Sequence, residues 1–221
     1  MLKNINSKEK LKDNAVKINS NALFNIRKSE TIGLILSCNS NIFTNSNGRS
    51  IFETTLEQLS LVKELSNIII LLDNVYVERC SGIIRRMRIT NIKKIIVKEP
   101  NINELFRNAL LYAKECDIIM LHDCSKSFVD TAIVNELIRK TKASGYAISV
   151  VKKSDVFMAA TPQVFAYSTL NGIITNKKLS EKNLFDMSEF FDLNKEYNES
   201  NSKDNNIIIR SDLELEHSED F

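Results

Sequence analysis

The chain has 221 residues, 43% of them hydrophobic, and a formal net charge of +2, which suits one large α/β domain with or without a tail. This weak charge gives no field that would attract nucleic acid, and no apolar stretch approaches the roughly 18 residues of a membrane span. The amino terminus lacks the apolar core of a signal peptide, so we expect a cytoplasmic protein with neither nucleic-acid nor membrane partners.

The four cysteines show no CxxC spacing that would indicate a metal or redox motif. They lie at Cys38, Cys80, Cys116 and Cys124. We therefore expect buried or free thiols in a reducing compartment.

In chain order, residues 1–30 are polar with scattered apolar positions, and we interpret them as an N-terminal extension that is poorly ordered unless it docks. Residues 31–221 form a single predicted domain. Apolar runs predict five strands, at residues 31–37, 67–73, 93–98, 117–122 and 146–151. Helices are predicted between them, after a Ser50–Glu53 capping box, over 75–88, over 103–115, and from Asp130 to Gly145.

This alternation of apolar strands and amphipathic helices predicts an α/β fold with a Rossmann-like, doubly wound, mostly parallel sheet. The later part of the chain is less regular. Thr161 is suited to cap a helix with Pro162 at its first position, and a further helix is predicted over residues 182–193. A short strand at residues 206–210 precedes a last helix that begins with a capping box.

Two segments carry most of the functional information. Residues 121–128 read Leu-His-Asp-Cys-Ser-Lys-Ser-Phe, so Asp123 follows a buried apolar run. An acidic residue at the end of such a strand lies at the sheet edge where α/β proteins bind ligands, although the residues alone favour a turn-capping role for it. Residues 159–165 read Ala-Ala-Thr-Pro-Gln-Val-Phe.

In this order the two segments resemble the His-Asp-Ala-Ala-Arg-Pro and Thr-Pro-Gln-Val-Phe signatures of the 2-C-methyl-D-erythritol 4-phosphate cytidylyltransferase family. Residues 48–56 are similar to its Gly-Lys-Pro-Val-Leu-Glu-His-Thr-Leu stretch, and residues 206–215 resemble its closing Asn-Ile-Lys-Ile and Asp-Leu-Glu-Leu pattern. The resemblance implies a nucleotidyltransferase fold. It also implies an enzyme that joins CTP to an alditol phosphate and releases pyrophosphate, with Mg²⁺ as cofactor.

The resemblance implies roles for individual residues as well. Asp123 matches the family's metal ligand. Lys126 stands where the family has an arginine, and Lys153 aligns with a substrate-binding arginine, while a solvated lysine is the alternative at both positions. The other implied ligand contacts are Ser37, Cys38, Asn39, Ser40, Thr161 and Gln163.

Other parts of the family pattern are missing. The family follows its first strand with a Gly-rich loop, an arginine and a Pro-Lys-Gln, whereas here no glycine precedes Gly48 and no basic residue precedes Arg49 in that region. Leu105 stands where the family has a serine that helps read cytosine, and Ile208 replaces a lysine. The subunit-pairing arm is reduced to residues 151–156, which favours a monomer or a dimer built by another surface.

Two functions stay open at this point. The first is a divergent cytidylyltransferase whose eroded phosphate loop leaves weak activity or none. The second is a non-catalytic protein on the same fold that binds a partner or metabolite. Transfer of a different nucleotide, such as UTP, is a less favoured third.

Overall fold

The structure is a computed structural model that describes residues 30–37, 40–46, 48–98, 100–114, 116–126, 129–153, 156–184, 186–191 and 207–210. The predicted N-terminal extension, except Glu30, and the predicted last helix lie outside these residues. Among the described residues, no helix has both the length and the apolar character that crossing a bilayer requires.

The described chain contains nine strands, seven of which form one central sheet. In chain order they are β1 (Thr31–Ser37), β2 (Asn45–Ser46), β3 (Arg49–Ser50), β4 (Asn67–Leu72), β5 (Ile92–Val97), β6 (Ile118–Asp123), β7 (Tyr146–Lys153), β8 (Val156–Ala166) and β9 (Ile207–Arg210). The central sheet has the order β5-β4-β1-β6-β8-β7-β9, and β2 and β3 form a separate hairpin. Only β8 runs antiparallel to its two neighbours in this sheet. The mostly parallel α/β class predicted from the sequence is therefore confirmed.

Five α-helices lie between the strands of the described chain. They are α1 (Ile51–Ser60), α2 (Val77–Met87), α3 (Ile102–Ala113), α4 (Thr131–Ser144) and α5 (Tyr167–Asn176). The predicted caps are present, because the Ser50 hydroxyl and the Glu53 carboxylate accept from each other's amides, and Asp130 accepts from two amides of the first turn of α4. Gly145 ends α4 in the left-handed region, with φ of 89°.

The sheet divides the core into two layers. Ile69 and Leu71 of β4 pack with α3 and α5 on one face, whereas Ile68 and Ile70 pack with α1, α2 and α4 on the other. Successive side chains of a strand point to opposite faces, so continuous apolar strands are what a sheet covered on both sides requires.

The prediction of a helix that begins at Thr161 and Pro162 is wrong. Both residues lie inside β8, and α5 begins only at Tyr167. Proline cannot donate a hydrogen bond within a sheet, but it is tolerated where the pairing is irregular. The register between β7 and β8 shifts at this point, and the Ser149 hydroxyl donates to the Pro162 carbonyl (3.2 Å). This irregularity accommodates a Thr-Pro pair in a strand.

The helix predicted over residues 182–193 is also wrong for the residues that the structure describes there. Two short 3-10 turns, Glu181–Leu184 and Ser188–Phe190, take its place. The buried Asn183 side chain accepts from the Ser180 amide (2.7 Å) and donates to the Asp186 carbonyl (3.2 Å). Such local bonds between side chain and backbone compete with helix formation, which explains why helical apolar spacing misleads here.

Candidate functional site

The candidate site lies where the order of the parallel strands reverses. From β1 the chain passes to β4 on one side and later returns to β6 on the other side, so β1 lies between β4 and β6. Open α/β sheets bind ligands beyond the carboxyl ends of the strands at such a switch point. Asp123 is the last residue of β6 and is partly exposed, so the predicted acidic residue is found at this edge.

The turn that follows β6 holds the Asp123 carboxylate in place. Its Oδ1 accepts hydrogen bonds from the Ser125 amide (2.8 Å) and the Ser125 hydroxyl (2.7 Å). The Asp123 backbone carbonyl accepts from the Lys126 amide (3.1 Å). Asp123 therefore caps the turn, as the residues alone favoured, and the residue stays partly exposed.

A second set of bonds joins the end of β6 to β8. The Asp123 amide donates to Thr161 Oγ1 (3.0 Å), and the same oxygen lies 3.0 Å from His122 Nδ1. His122 is fully buried, and its Nε2 lies 3.1 Å from the Lys126 carbonyl oxygen. Thr161 and Asp123, which the sequence proposed as site residues from separate motifs, are thus brought into direct contact.

Gln163 is placed differently from Thr161. It is only 1% exposed, its Nε2 donates to the Asp186 carboxylate (3.0 Å), and its Oε1 accepts from the Met187 amide (3.0 Å). These bonds anchor the segment after α5 to the sheet. In this structure Gln163 has a structural task, and its ligand contact stays a prediction.

The segment after β1 is fixed by aromatic contacts. It forms a 3-10 turn, Ser40–Phe43. The ring centroid of Phe43 lies 5.4 Å from that of Tyr76 and 6.5 Å from that of Phe52. The Arg79 guanidinium lies 4.0 Å from the centroid of the Phe43 ring, a cation–π distance. The described part of this segment is therefore held by side-chain packing, unlike a glycine-rich phosphate loop.

The structure locates the other predicted loop contacts only in part. Ser37 ends β1 at the edge that carries Asp123, and Ser40 is exposed at the start of the 3-10 turn. Cys38 and Asn39 lie outside the described residues.

The two lysines proposed for the site lie at different distances along the sheet. Lys126 is in the turn that Asp123 begins, and it is partly buried. Leu121 of β6 and Ile148 of β7 both pair with Gln163, so they lie at the same level. Measured along the strands from this level, Lys153 at the end of β7 lies further out than Asp123 at the end of β6. Strand β8 separates the two strands.

Two arginines near α1 are engaged in ion pairs. Arg49 pairs with Glu57, and Arg86 pairs with Glu53. Arg49 was the first basic residue after β1 in the sequence, and its charge is compensated in this structure. A ligand phosphate would have to compete with the Glu57 carboxylate for it.

A cleft of about 590 Å³ at the start of α3 is a feature that the sequence did not reveal. We call it the α3 cleft, and the polar and basic residues that line it are Asn101, Asn103, Arg107, Thr175, Asn176, Lys177, Lys178 and Ser180. They come from two parts of the chain about 70 residues apart, and the second part has no motif that would have indicated a site. The first part includes the stretch that the resemblance assigns to cytosine recognition.

The thiols of the described chain are not suited to metal binding or nucleophilic chemistry. Burial raises the pKa of the Cys80 and Cys116 thiols to about 12, and it also raises the pKa of the fully buried Cys124 thiol. A thiol must ionise to attack or to bind a metal. No cluster of three or more His, Cys, Asp or Glu residues with metal-binding geometry occurs among the described residues.

Comparisons with known proteins point to one family, although no family model matches the chain. The 2-C-methyl-D-erythritol 4-phosphate cytidylyltransferase of Clostridium botulinum is 25% identical over 161 residues, which cover 64% of this chain and 69% of that protein. The protein of the same name from Clostridium perfringens is 26% identical over 129 residues, which cover 58% of this chain and 57% of that protein.

Solved structures agree on the fold. The 4-diphosphocytidyl-2C-methyl-D-erythritol synthase of Anaerococcus prevotii superposes with a TM-score of 0.63 at 16% identity, over 83% of this chain and 89% of that one. A CMP:2-keto-3-deoxy-manno-octonic acid synthetase complexed with CTP superposes with a TM-score of 0.57 at 10% identity, over 83% and 90%. Sequence and fold together make this chain a divergent relative of the 2-C-methyl-D-erythritol 4-phosphate cytidylyltransferases.

Proposed function

We propose that the chain is a Mg²⁺-dependent cytidylyltransferase that acts on CTP and an alditol phosphate, with Asp123 as its metal ligand and a weak hold on the triphosphate. The observation that carries this proposal is the Asp123 carboxylate, held in one orientation at the switch point of the sheet. The curated relatives support the substrate class, because their name states transfer of a cytidylyl group to 2-C-methyl-D-erythritol 4-phosphate.

The residues at this edge fit a magnesium ion that arrives with a nucleotide. Mg²⁺ is usually held by one or two carboxylates together with substrate phosphates and water, not by a cage of protein ligands. Ser125 occupies two acceptor positions on Asp123 Oδ1, and an ionised carboxylate offers about four. Asp123 supplies one such carboxylate and is partly exposed. The described residues contain no larger group of possible metal ligands, so substrate phosphates and water would complete the coordination.

The proposed reaction requires little acid–base chemistry from the protein. A phosphate oxygen of the alditol phosphate attacks the α-phosphorus of CTP, a new P–O–P linkage forms, and the bond to the leaving pyrophosphate breaks. The attacking phosphate is already ionised near neutral pH, so no general base is needed. This agrees with the buried position of His122, both of whose ring nitrogens have partners within the protein.

Within this proposal Lys126 and Lys153 supply positive charge near the phosphates, and Mg²⁺ when bound neutralises part of their negative charge. The weakest part of the proposed site is its binding of the CTP triphosphate. Losing one donor aimed at developing negative charge commonly costs about 10²–10³ in rate. With Arg49 paired to Glu57 and no glycine-rich loop after β1, we expect slow turnover.

A second candidate function is non-catalytic binding on the same fold. The segment after β1 favours it, because Phe43 is packed between aromatic rings and Arg79 lies against Phe43 at a cation–π distance. A loop fixed in this way is a stable surface for a partner.

Pyrophosphate release from CTP, Mg²⁺ and 2-C-methyl-D-erythritol 4-phosphate tests the proposal. We expect slow release by the wild type and a fall of at least about 100-fold in Asp123→Ala. Asp117→Asn is the matched control, because Asp117 immediately precedes β6, at the opposite end of the strand from Asp123, where its carboxylate accepts from the Glu30 amide. Absence of both release and calorimetric CTP binding at millimolar nucleotide would reject the enzyme in favour of the binding protein.

A further inference from the structure

The contacts between His122, Asp123, Lys126 and Thr161 form a closed circuit, which we call the β6–β8 relay. Thr161 Oγ1 lies 3.0 Å from both the Asp123 amide nitrogen and His122 Nδ1, and His122 Nε2 lies 3.1 Å from the Lys126 carbonyl oxygen. The circuit closes through the Lys126 amide, which donates to the Asp123 carbonyl (3.1 Å). It therefore spans both ends of the turn that carries the Asp123 carboxylate.

The direction of each hydrogen bond in the relay follows from the chemistry of its ends. The Lys126 carbonyl can only accept, so His122 Nε2 carries a proton, and in the neutral ring Nδ1 then accepts from the Thr161 hydroxyl. Thr161 Oγ1 in turn accepts from the Asp123 amide. Hydrogen bonds linked in one direction polarise each other, and an unpaired member in a buried place is costly. One hydroxyl on β8 thus supports the backbone of the whole turn.

We propose that Thr161 and His122 are positioning residues that hold the Asp123 turn, and through it the carboxylate, in the orientation that a nucleotide-bound divalent cation requires. The ligand part of this inference rests on the proposed function, whereas the ordering of the turn does not. It also adds a role to the ligand contact that the resemblance implies for Thr161. In this added role Thr161 acts through Asp123 and His122.

Two substitutions at one position separate the hydroxyl from the methyl group. Thr161→Val keeps the shape and removes the hydroxyl, while Thr161→Ser keeps the hydroxyl and removes the methyl group. Ser149→Ala is the matched control, because it removes a buried hydroxyl bond between β7 and β8 that does not reach the relay. All variants are compared with the wild type after correction for global stability.

Amide hydrogen exchange is the first readout, and it does not depend on any activity. The informative amides are Ser125 and Lys126, which bond to Asp123 and not to Thr161. We expect their exchange to rise about tenfold in Thr161→Val, the equivalent of one lost hydrogen bond of about 1.4 kcal/mol. Thr161→Ser and Ser149→Ala leave it within about threefold of wild type. Unchanged exchange at both amides in Thr161→Val overturns the proposal.

Affinity for Mn²⁺ in the presence of CTP, measured by electron paramagnetic resonance, is the second readout. Residues that orient a metal ligand typically contribute about 10- to 100-fold to affinity, so Thr161→Val weakens binding by that factor and Thr161→Ser restores it. If Thr161→Val weakens binding without faster exchange at Ser125 and Lys126, Thr161 is a direct ligand contact and the positioning role is wrong. If the wild type binds no Mn²⁺ with CTP, the proposed function fails, while the exchange readout still decides the relay.

Discussion

Several hydrogen bonds converge on the carboxylate of Glu53 at the start of α1. Burial by itself raises its pKa, but bonds from the Ser50 amide, the Ser50 hydroxyl and the Arg86 guanidinium outweigh burial and lower the pKa to about 2. The unfolded chain therefore binds this proton more readily than the folded chain. Ionised Glu53 stabilises the fold at pH values above about 4.5, and that contribution is lost as the pH falls from there toward about 2.

Glu53→Gln tests this contribution. We expect the free energy of unfolding at pH 7 to fall by about 1–2 kcal/mol, since the variant loses a charged cap at a helix N-terminus. The difference from wild type should shrink as the pH falls from 5 to 3, because wild-type Glu53 begins to lose its advantage there. Urea unfolding at pH 7, 5 and 3 measures this difference in unfolding free energy. Glu57→Gln, on the exposed side of α1, is the control. A difference that stays constant with pH would contradict the assignment.

Elements with strong periodicity could be predicted from the sequence, and β8 could not. The strands β4 to β7 begin or end within one or two residues of their predicted bounds, because continuous apolar runs have few alternatives. The Thr161–Pro162 pair carried a helix-start signal that the irregular β7–β8 pairing overrides. The first amide of α5 instead finds a carbonyl just before β6, since Tyr167 donates to Asp117 (2.9 Å), and no local sequence motif indicates this bond.

The glycines of the helices offer a matched pair of predictions. Gly145 ends α4 at a φ of 89°, where an added Cβ would also lie 3.3 Å from Thr169 Oγ1, so Gly145→Ala should destabilise the protein by about 1 kcal/mol or more. Gly82 lies inside α2 with open space around it, so Gly82→Ala should stabilise by about 0.5–1 kcal/mol. Thermal unfolding of both variants checks the opposite signs. Equal shifts in one direction would mean that backbone conformation does not govern these two positions.

At the scale of the molecule, the sequence predicted where a site would lie better than how it is built. Asp123 was expected at a sheet edge and is found there, because the ends of the strands follow from the apolar pattern. The contact between Thr161 and His122 joins residues 39 apart and depends on β8, which the sequence misassigned. The pairing of Arg49 with Glu57 likewise depends on side-chain geometry that no motif encodes.

The two-layer core also predicts how the thiols react. Cys80, Cys116 and Cys124 are buried, and burial raises the pKa of each. In a Cys38→Ser variant, which removes the one cysteine outside the described residues, labelling by an aromatic disulfide at pH 8 should therefore be slow and should accelerate with urea in step with unfolding. Three thiols that react rapidly in the absence of denaturant would refute the packing around β6 and α2.

Asn103 acts as a tie across the α3 cleft. Its amide nitrogen donates to the carbonyls of Ile174 and Lys177 (both 2.9 Å), and its oxygen accepts from the Leu179 amide (3.1 Å). One side chain thus spaces the two walls, while Arg107 and Lys178 on the rim take no part in these bonds. Substitutions of Arg107 and Lys178 can therefore change the charge of the α3 cleft without changing its width, as long as Asn103 is retained.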